Sequence, residues 1–137
     1  MAIQVYSLSK EGYKQLTPNF RVREFRCKDG SDPIFVDGEL VSILQKIREH
    51  FGKPLTITSG YRTPAHNKAC GGAAYSQHLY GRAADFKIAG IAPDVVAAYA
   101  ETLLPNRGGI GVYPPKAGRA TGWVHIDTRA SKSRWRG

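Results

Sequence analysis

A chain of 137 residues suits one domain and is long enough to bury a core without disulfide staples. Its 20 Lys and Arg against 11 Asp and Glu leave a formal net charge of +9, which favours an anionic partner such as nucleic acid or an anionic cell wall. No apolar run approaches the length of a membrane span, and two cysteines outside any CxxC pair exclude a cysteine-rich zinc site.

The start, Met1-Ala2-Ile3-Gln4-Val5-Tyr6, lacks the basic and apolar regions of a secretory signal, so synthesis in the cytoplasm is expected. Free thiols at Cys27 and Cys70 fit that compartment. Residues 1–35 read as irregular, with Pro18, Pro33 and the turn cluster Lys28-Asp29-Gly30-Ser31-Asp32-Pro33; residues 1–19 form an arm.

A helix is predicted over 38–51. Asp37 can cap its start, Val36 and Val41 stand as a hydrophobic staple, and Leu40, Leu44, Ile47 and Phe51 form one stripe. Gly52 can close it and Pro54 cannot continue it. Residues 55–58 read as a buried strand rich in β-branched side chains. A short helix follows, with Thr63 as its cap and Pro64 in its first turn. Residues 71–82 form a loop of glycine and small residues, 83–88 a strand and 93–104 a second amphipathic helix. Residues 110–113 and 123–127 are two further strands, joined by a turn near 118–122. Residues 130–137 read as a solvated basic tail. This order predicts a single α+β domain over 1–137, with a small, mainly antiparallel sheet and helices packed against it.

The segment richest in chemistry is Ser76-Gln77-His78-Leu79-Tyr80-Gly81-Arg82-Ala83-Ala84-Asp85. A catalytic zinc takes three protein ligands with nitrogen or oxygen donors and keeps one position open. His78 in a bendable loop and Asp85 on the next strand suit two of those places, and His125 on a neighbouring strand suits the third. From spacing alone, a structural His–Asp hydrogen-bond pair is the commoner outcome.

The residue pattern shifts that balance. Ser-x-His-x-x-Gly-x-Ala-x-Asp, followed forty residues after Asp85 by His125 within Trp-Val-His-Ile-Asp, resembles the zinc D-alanyl-D-alanine carboxypeptidase and murein endopeptidase family, which shares its fold with the hedgehog signalling domain and with several phage endolysins. Ile57-Thr58-Ser59-Gly60-Tyr61-Arg62-Thr63-Pro64 is similar to the family's arginine-bearing strand end, and Gly108-Gly109-Ile110-Gly111-Val112-Tyr113-Pro114 to the strand before the last ligand. The likeness covers about residues 20–130.

The resemblance implies a hedgehog-like fold and a Zn2+ ion held by His78, Asp85 and His125. Arg62 would sit beside the metal, where a guanidinium can pair with a substrate carboxylate and stabilise an oxyanion. Ser76 would bind substrate or orient the loop. Many relatives carry a general base two or three residues before the last histidine, but Trp123 and Gly122 stand there. Asp127 is the expected substitute, because two residues along a strand its side chain faces the same way as His125. Its alternative role is to orient a ligand, and Glu101 is a more remote base.

Other residues have plainer expectations. His50 suits a helix end. His66 reads as a surface residue near Arg62, and Tyr80, Tyr113 and Trp123 as packing residues. A Cys27–Cys70 pair bracing the motif loop is an alternative to free thiols.

The implied activity is cleavage of a stem peptide or cross-bridge of peptidoglycan by a monomer that acts at the cell wall, without membrane insertion. A phage lysis or tail-associated role would fit a start without a signal. The competing readings are a non-catalytic zinc-containing wall-binding module and a nucleic-acid-binding domain. The last is disfavoured because the basic residues are scattered and carry no recognition motif.

Overall fold

The computed structural model describes residues 3–137. In chain order it holds β1 (Ile3–Ser7), a single turn α1 (Leu8–Glu11), β2 (Gln15–Thr17), β3 (Phe20–Arg21), a 3-10 turn at Val22–Phe25, β4 (Pro33–Asp37), α2 (Gly38–Phe51), β5 (Leu55–Ser59) and α3 (Pro64–Ala69). A second 3-10 turn at Gln77–Tyr80 precedes β6 (Ala83–Ile88), α4 (Pro93–Leu103), β7 (Gly108–Tyr113), β8 (Trp123–Asp127) and β9 (Lys132–Arg136).

The main sheet has five strands in the order β5-β6-β8-β7-β9. Its pairings are antiparallel except for β7 with β9, which is parallel. Side chains alternate across each strand. Ala84, Phe86 and Ile88 of β6 and Val124 and Ile126 of β8 enter the core, together with Leu40, Leu44 and Ile47 of α2 and Val96 and Ala100 of α4. The odd-numbered neighbours Asp85, His125 and Asp127 lie on the opposite face. The helices thus cover the back of the sheet and leave its front for chemistry.

The α2 helix begins and ends at the expected residues. Asp37 accepts from the Glu39 N–H at 3.2 Å, and Gly52 closes the helix in the left-handed conformation, its N–H donating to Arg48 O at 3.0 Å. The other Asp37 oxygen accepts from Thr128 Oγ1 at 2.6 Å, which ties the start of α2 to the end of β8. His50, at the far end of α2, stacks on Tyr99 of α4 with ring centroids 3.7 Å apart.

Two expectations are corrected. The described part of the N-terminal arm is ordered: β1 pairs with β4, β2 with β3, and Gln45 of α2 holds Asn19 through two hydrogen bonds. The basic tail is β9, the edge strand of the main sheet. Arg134 turns under that edge to bond Glu101, Gly108 O and Leu104 O, and Arg136 pairs with Asp94. Pairing of these charges is what lets so basic a segment lie on the fold.

Gly81 ends the second 3-10 turn with φ 71°, and a Cβ there would lie 2.3 Å from Phe35 O. Gly81→Ala should therefore destabilise the chain beyond the ~1–2 kcal/mol that left-handed backbone alone costs a residue with a Cβ. Gly30→Ala is the control, because Gly30 has φ 85° and open space around it. Denaturant midpoints check this; equal losses for the two variants would refute the close-approach argument.

Candidate metal centre

Strand register builds the site. Ser59 of β5 pairs with Asp85 of β6, Asp85 with His125 of β8, His125 with Gly111 of β7, and Gly111 with Trp135 of β9. These five residues form one row across all five strands. His78 reaches the same place from the second 3-10 turn, where Ser76 caps the turn by accepting from the His78 N–H at 3.3 Å.

The three expected ligands converge. One donor atom each from His78, Asp85 and His125 lies within 4.8 Å of the others. His78 Nδ1 is 2.7 Å from Gly60 O, which can only accept, so that nitrogen carries the proton and Nε2 is left facing Asp85 Oδ2 at 3.4 Å. His125 Nε2 is 2.8 Å from Asp127 Oδ2 and its Nδ1 is 2.9 Å from Asp85 Oδ1. Two imidazole lone pairs and a carboxylate facing one another need a cation between them. A proton can serve, and so can a metal ion that accepts nitrogen and oxygen donors. The donor set therefore fits zinc, with the histidines held at their far nitrogens by a carbonyl and a carboxylate, as ligating histidines commonly are.

The electrostatics agree. Burial pushes the Asp85 carboxyl up, but the two histidines that face it outweigh burial and hold the group well below the usual carboxylate range. Burial opposes charge on His125, yet Asp127 and Asp85 together raise its pKa.

Arg62 borders this cluster. Its Nε donates to Ser59 Oγ at 3.0 Å, Nη1 to Asn67 Oδ1 at 3.2 Å and Nη2 to Asp85 Oδ2 at 3.5 Å. The Asn67 side chain donates in turn to Ala73 O at 2.9 Å, so α3 and the following loop hold the guanidinium in place.

Asp127 does not fit the expected role of proton acceptor. It is fully buried, and both oxygens are engaged. Oδ1 accepts from the N–H groups of Gly109 (2.9 Å) and Arg129 (3.2 Å) and from Arg129 Nε (2.8 Å). Oδ2 meets Arg129 Nη2 (2.7 Å) and His125 Nε2. Burial raises its pKa, but the bonds from His125 and Arg129 prevail and keep it ionised. A saturated carboxylate behind His125 orients the imidazole; it has no free edge for a water. Glu101 is farther still from this work, bound to Arg134.

Sequence reading missed Trp135. Its indole packs beside His125 with ring centroids 4.9 Å apart, and its Nε1 donates to Tyr113 Oη at 2.7 Å. Gly111 makes this possible, since a Cβ there would lie 2.4 Å from Trp135 Nε1; likewise a Cβ on Gly109 would strike the Asp127 carboxylate at 2.2 Å. The Gly-Gly-Ile-Gly spacing was the available signal: alternate glycines on a strand mark a face where something large approaches. Beyond Trp135, Tyr113 and Trp123 stack at 4.7 Å with the Arg119 guanidinium over Trp123, while Tyr80, expected to pack, is exposed. A cavity of about 530 Å³ between the end of β6, the start of α4 and the loop before β8 is lined mainly by apolar side chains and contains none of the converging ligands.

Comparison with known proteins agrees with this arrangement. A sequence model of the Peptidase M15 family matches residues 14–127. The probable peptidoglycan L,D-endopeptidase MepK of Haemophilus influenzae is 33% identical over 88 residues, which is 61% of this chain and 43% of that protein. The zinc D-Ala-D-Ala carboxypeptidase of Streptomyces albus G is 46% identical over 43 residues, 31% of this chain and 17% of that one. The chain thus spans less than half the length of these curated relatives. The family match covers most of the chain and includes every converging side chain, and the chain belongs to the Peptidase M15 family.

Proposed function

We propose that this chain is a zinc-dependent peptidase that hydrolyses peptide bonds of bacterial peptidoglycan, with His78, Asp85 and His125 as the metal ligands. The observation that carries the reading is the convergence of two oriented imidazoles and an ionised carboxylate on one point, beside a fixed arginine. The names of the two relatives supply the substrate class, and the five-stranded sheet backed by helices supports a hedgehog-type fold.

A zinc ion held there supplies a Lewis acid that polarises the scissile carbonyl and lowers the pKa of water. The chain's own residues do the rest. Gly60 O and Asp127 fix the two histidines in the tautomers that ligation needs. Ser76 holds the turn that carries His78. Arg62, held by Ser59 and Asn67, offers its charge to a substrate carboxylate or to the oxyanion that develops during hydrolysis. Trp135 walls the cluster on the β9 side.

Intact peptidoglycan incubated with the protein should release peptide fragments, identified by mass spectrometry. Release should stop with a zinc chelator and return with added zinc. The product masses separate terminal D-alanine release from cross-link cleavage. No release by zinc-loaded protein on several wall types would leave a wall-binding module without turnover.

Two substitutions test the roles. Arg62→Ala should lower kcat/KM by about 10²–10³-fold, the effect of losing one preorganised oxyanion donor, while zinc content stays unchanged. Full activity in that variant would remove Arg62 from the chemistry. Asp127→Asn should weaken zinc affinity by about 10–100-fold, and excess zinc should restore turnover. Tight zinc binding with turnover abolished would instead make Asp127 the proton acceptor.

A further inference from the structure

A second set of metal-binding side chains lies away from the first. Ligand atoms of Cys27, Asp29 and His66 come within 4.8 Å of one another. Cys70 stands outside that group, but its exposed Sγ lies 3.3 Å from His66 Nε2 and makes it the candidate for a fourth ligand. The four come from two places. Cys27 and Asp29 belong to the segment between the first 3-10 turn and β4, while His66 and Cys70 sit one turn apart at the end of α3. Thr63, which caps α3, joins the two: its N–H is 3.5 Å from Cys27 Sγ and its hydroxyl donates to Asp29 Oδ2 at 2.8 Å.

The cysteines are both free, Cys27 buried and Cys70 exposed, so the expected alternative of a disulfide does not hold. Two sulfurs and an imidazole are donors of closed, four-ligand structural zinc sites, and a carboxylate oxygen is a zinc ligand as well. That chemistry differs from the first cluster, which has three ligands and no sulfur.

We propose that Cys27, Asp29, His66 and Cys70 form a second, structural zinc site that clamps residues 27–29 to α3. Such a clamp acts on the chemistry indirectly. Arg62 precedes the α3 cap, and Asn67 within α3 bonds the Arg62 guanidinium. A metal that fixes α3 therefore fixes Arg62. The four residues are positioning residues; none touches Asp85 or the two histidines beside it in the bonds described above.

The test is metal content of the full chain, loaded with zinc and freed of excess, by mass spectrometry of the metal. Two zinc ions per chain are expected. His66→Ala and Cys70→Ser should each leave one, and so should His125→Ala, which removes the other site. Cobalt substitution gives a readout that does not depend on activity. The wild type and His125→Ala should show thiolate-to-cobalt charge-transfer absorption, and Cys70→Ser should lose most of it. Cys27→Ser is the less secure variant because its side chain is buried, so the exposed Cys70 and half-exposed His66 carry the test. A single zinc per chain in the wild type, or cobalt protein without thiolate absorption, overturns the site. Either result leaves the peptidase reading to its own wall assay.

Discussion

The structure turns on one half-buried carboxylate, Asp85, which must be kept ionised where little water reaches it. Burying an unpaired charge costs several kcal/mol, and the cost falls only if every neighbour is satisfied as well. Here the partners run in a chain: Gly60 O holds His78, His78 and His125 face Asp85, Asp127 holds His125, and Arg129 with the Gly109 N–H holds Asp127. Each link fixes the orientation of the next. The histidines present defined nitrogens because their other nitrogens are spoken for, and this preorganisation brings three candidate metal ligands to one point.

The scaffold that positions this chain is a single row of strand register. On a sheet a slip of one residue would send Asp85 or His125 into the core and Phe86 or Val124 to the front. The core therefore enforces the site: Phe86, Val124 and Ile126 cannot leave the apolar layer between sheet and helices without the ligands leaving the front. Precision at the metal centre follows from hydrophobic burial on the other side of the same strands. A site on loops would have no such lock.

Much of this was legible in the sequence, for identifiable reasons. Helix 38–51 announced itself through a capping aspartate, an apolar stripe and a closing glycine, all local signals. The grouping of His78, Asp85 and His125 was expected from the resemblance of the motif to a known family, since spacing alone favoured a plain His–Asp pair. What escaped depends on distant partners. Lys132-Ser133-Arg134-Trp135-Arg136 has no apolar alternation, and it becomes a strand only because β7 offers an edge and Glu101 and Asp94 neutralise its arginines. The described part of the arm, residues 3–19, is ordered by β4 and Gln45, both later in the chain. Asp127 was placed on the same face as His125, but its two readings, proton acceptor or ligand orienter, could not be separated, because nothing in Trp-Val-His-Ile-Asp shows that Gly109 and Arg129 close over the carboxylate.

The family match ends at Asp127, but the site does not. Arg129 supplies the charge that keeps Asp127 ionised, and its guanidinium also lies over the Trp135 ring, 5.4 Å from the centroid. Trp135 in turn packs on His125 and bonds Tyr113. Residues 129–136 thus close a loop of contacts that begins and ends at His125, with Arg129 behind its carboxylate partner and Trp135 beside its ring. The net positive charge has a local meaning here. Part of it is used inside the molecule, where arginines hold acidic groups in fixed places; the remainder is free to attract an anionic polymer. A segment that by composition reads as solvated basic chain is, by its contacts, the outer wall of the cluster around His125.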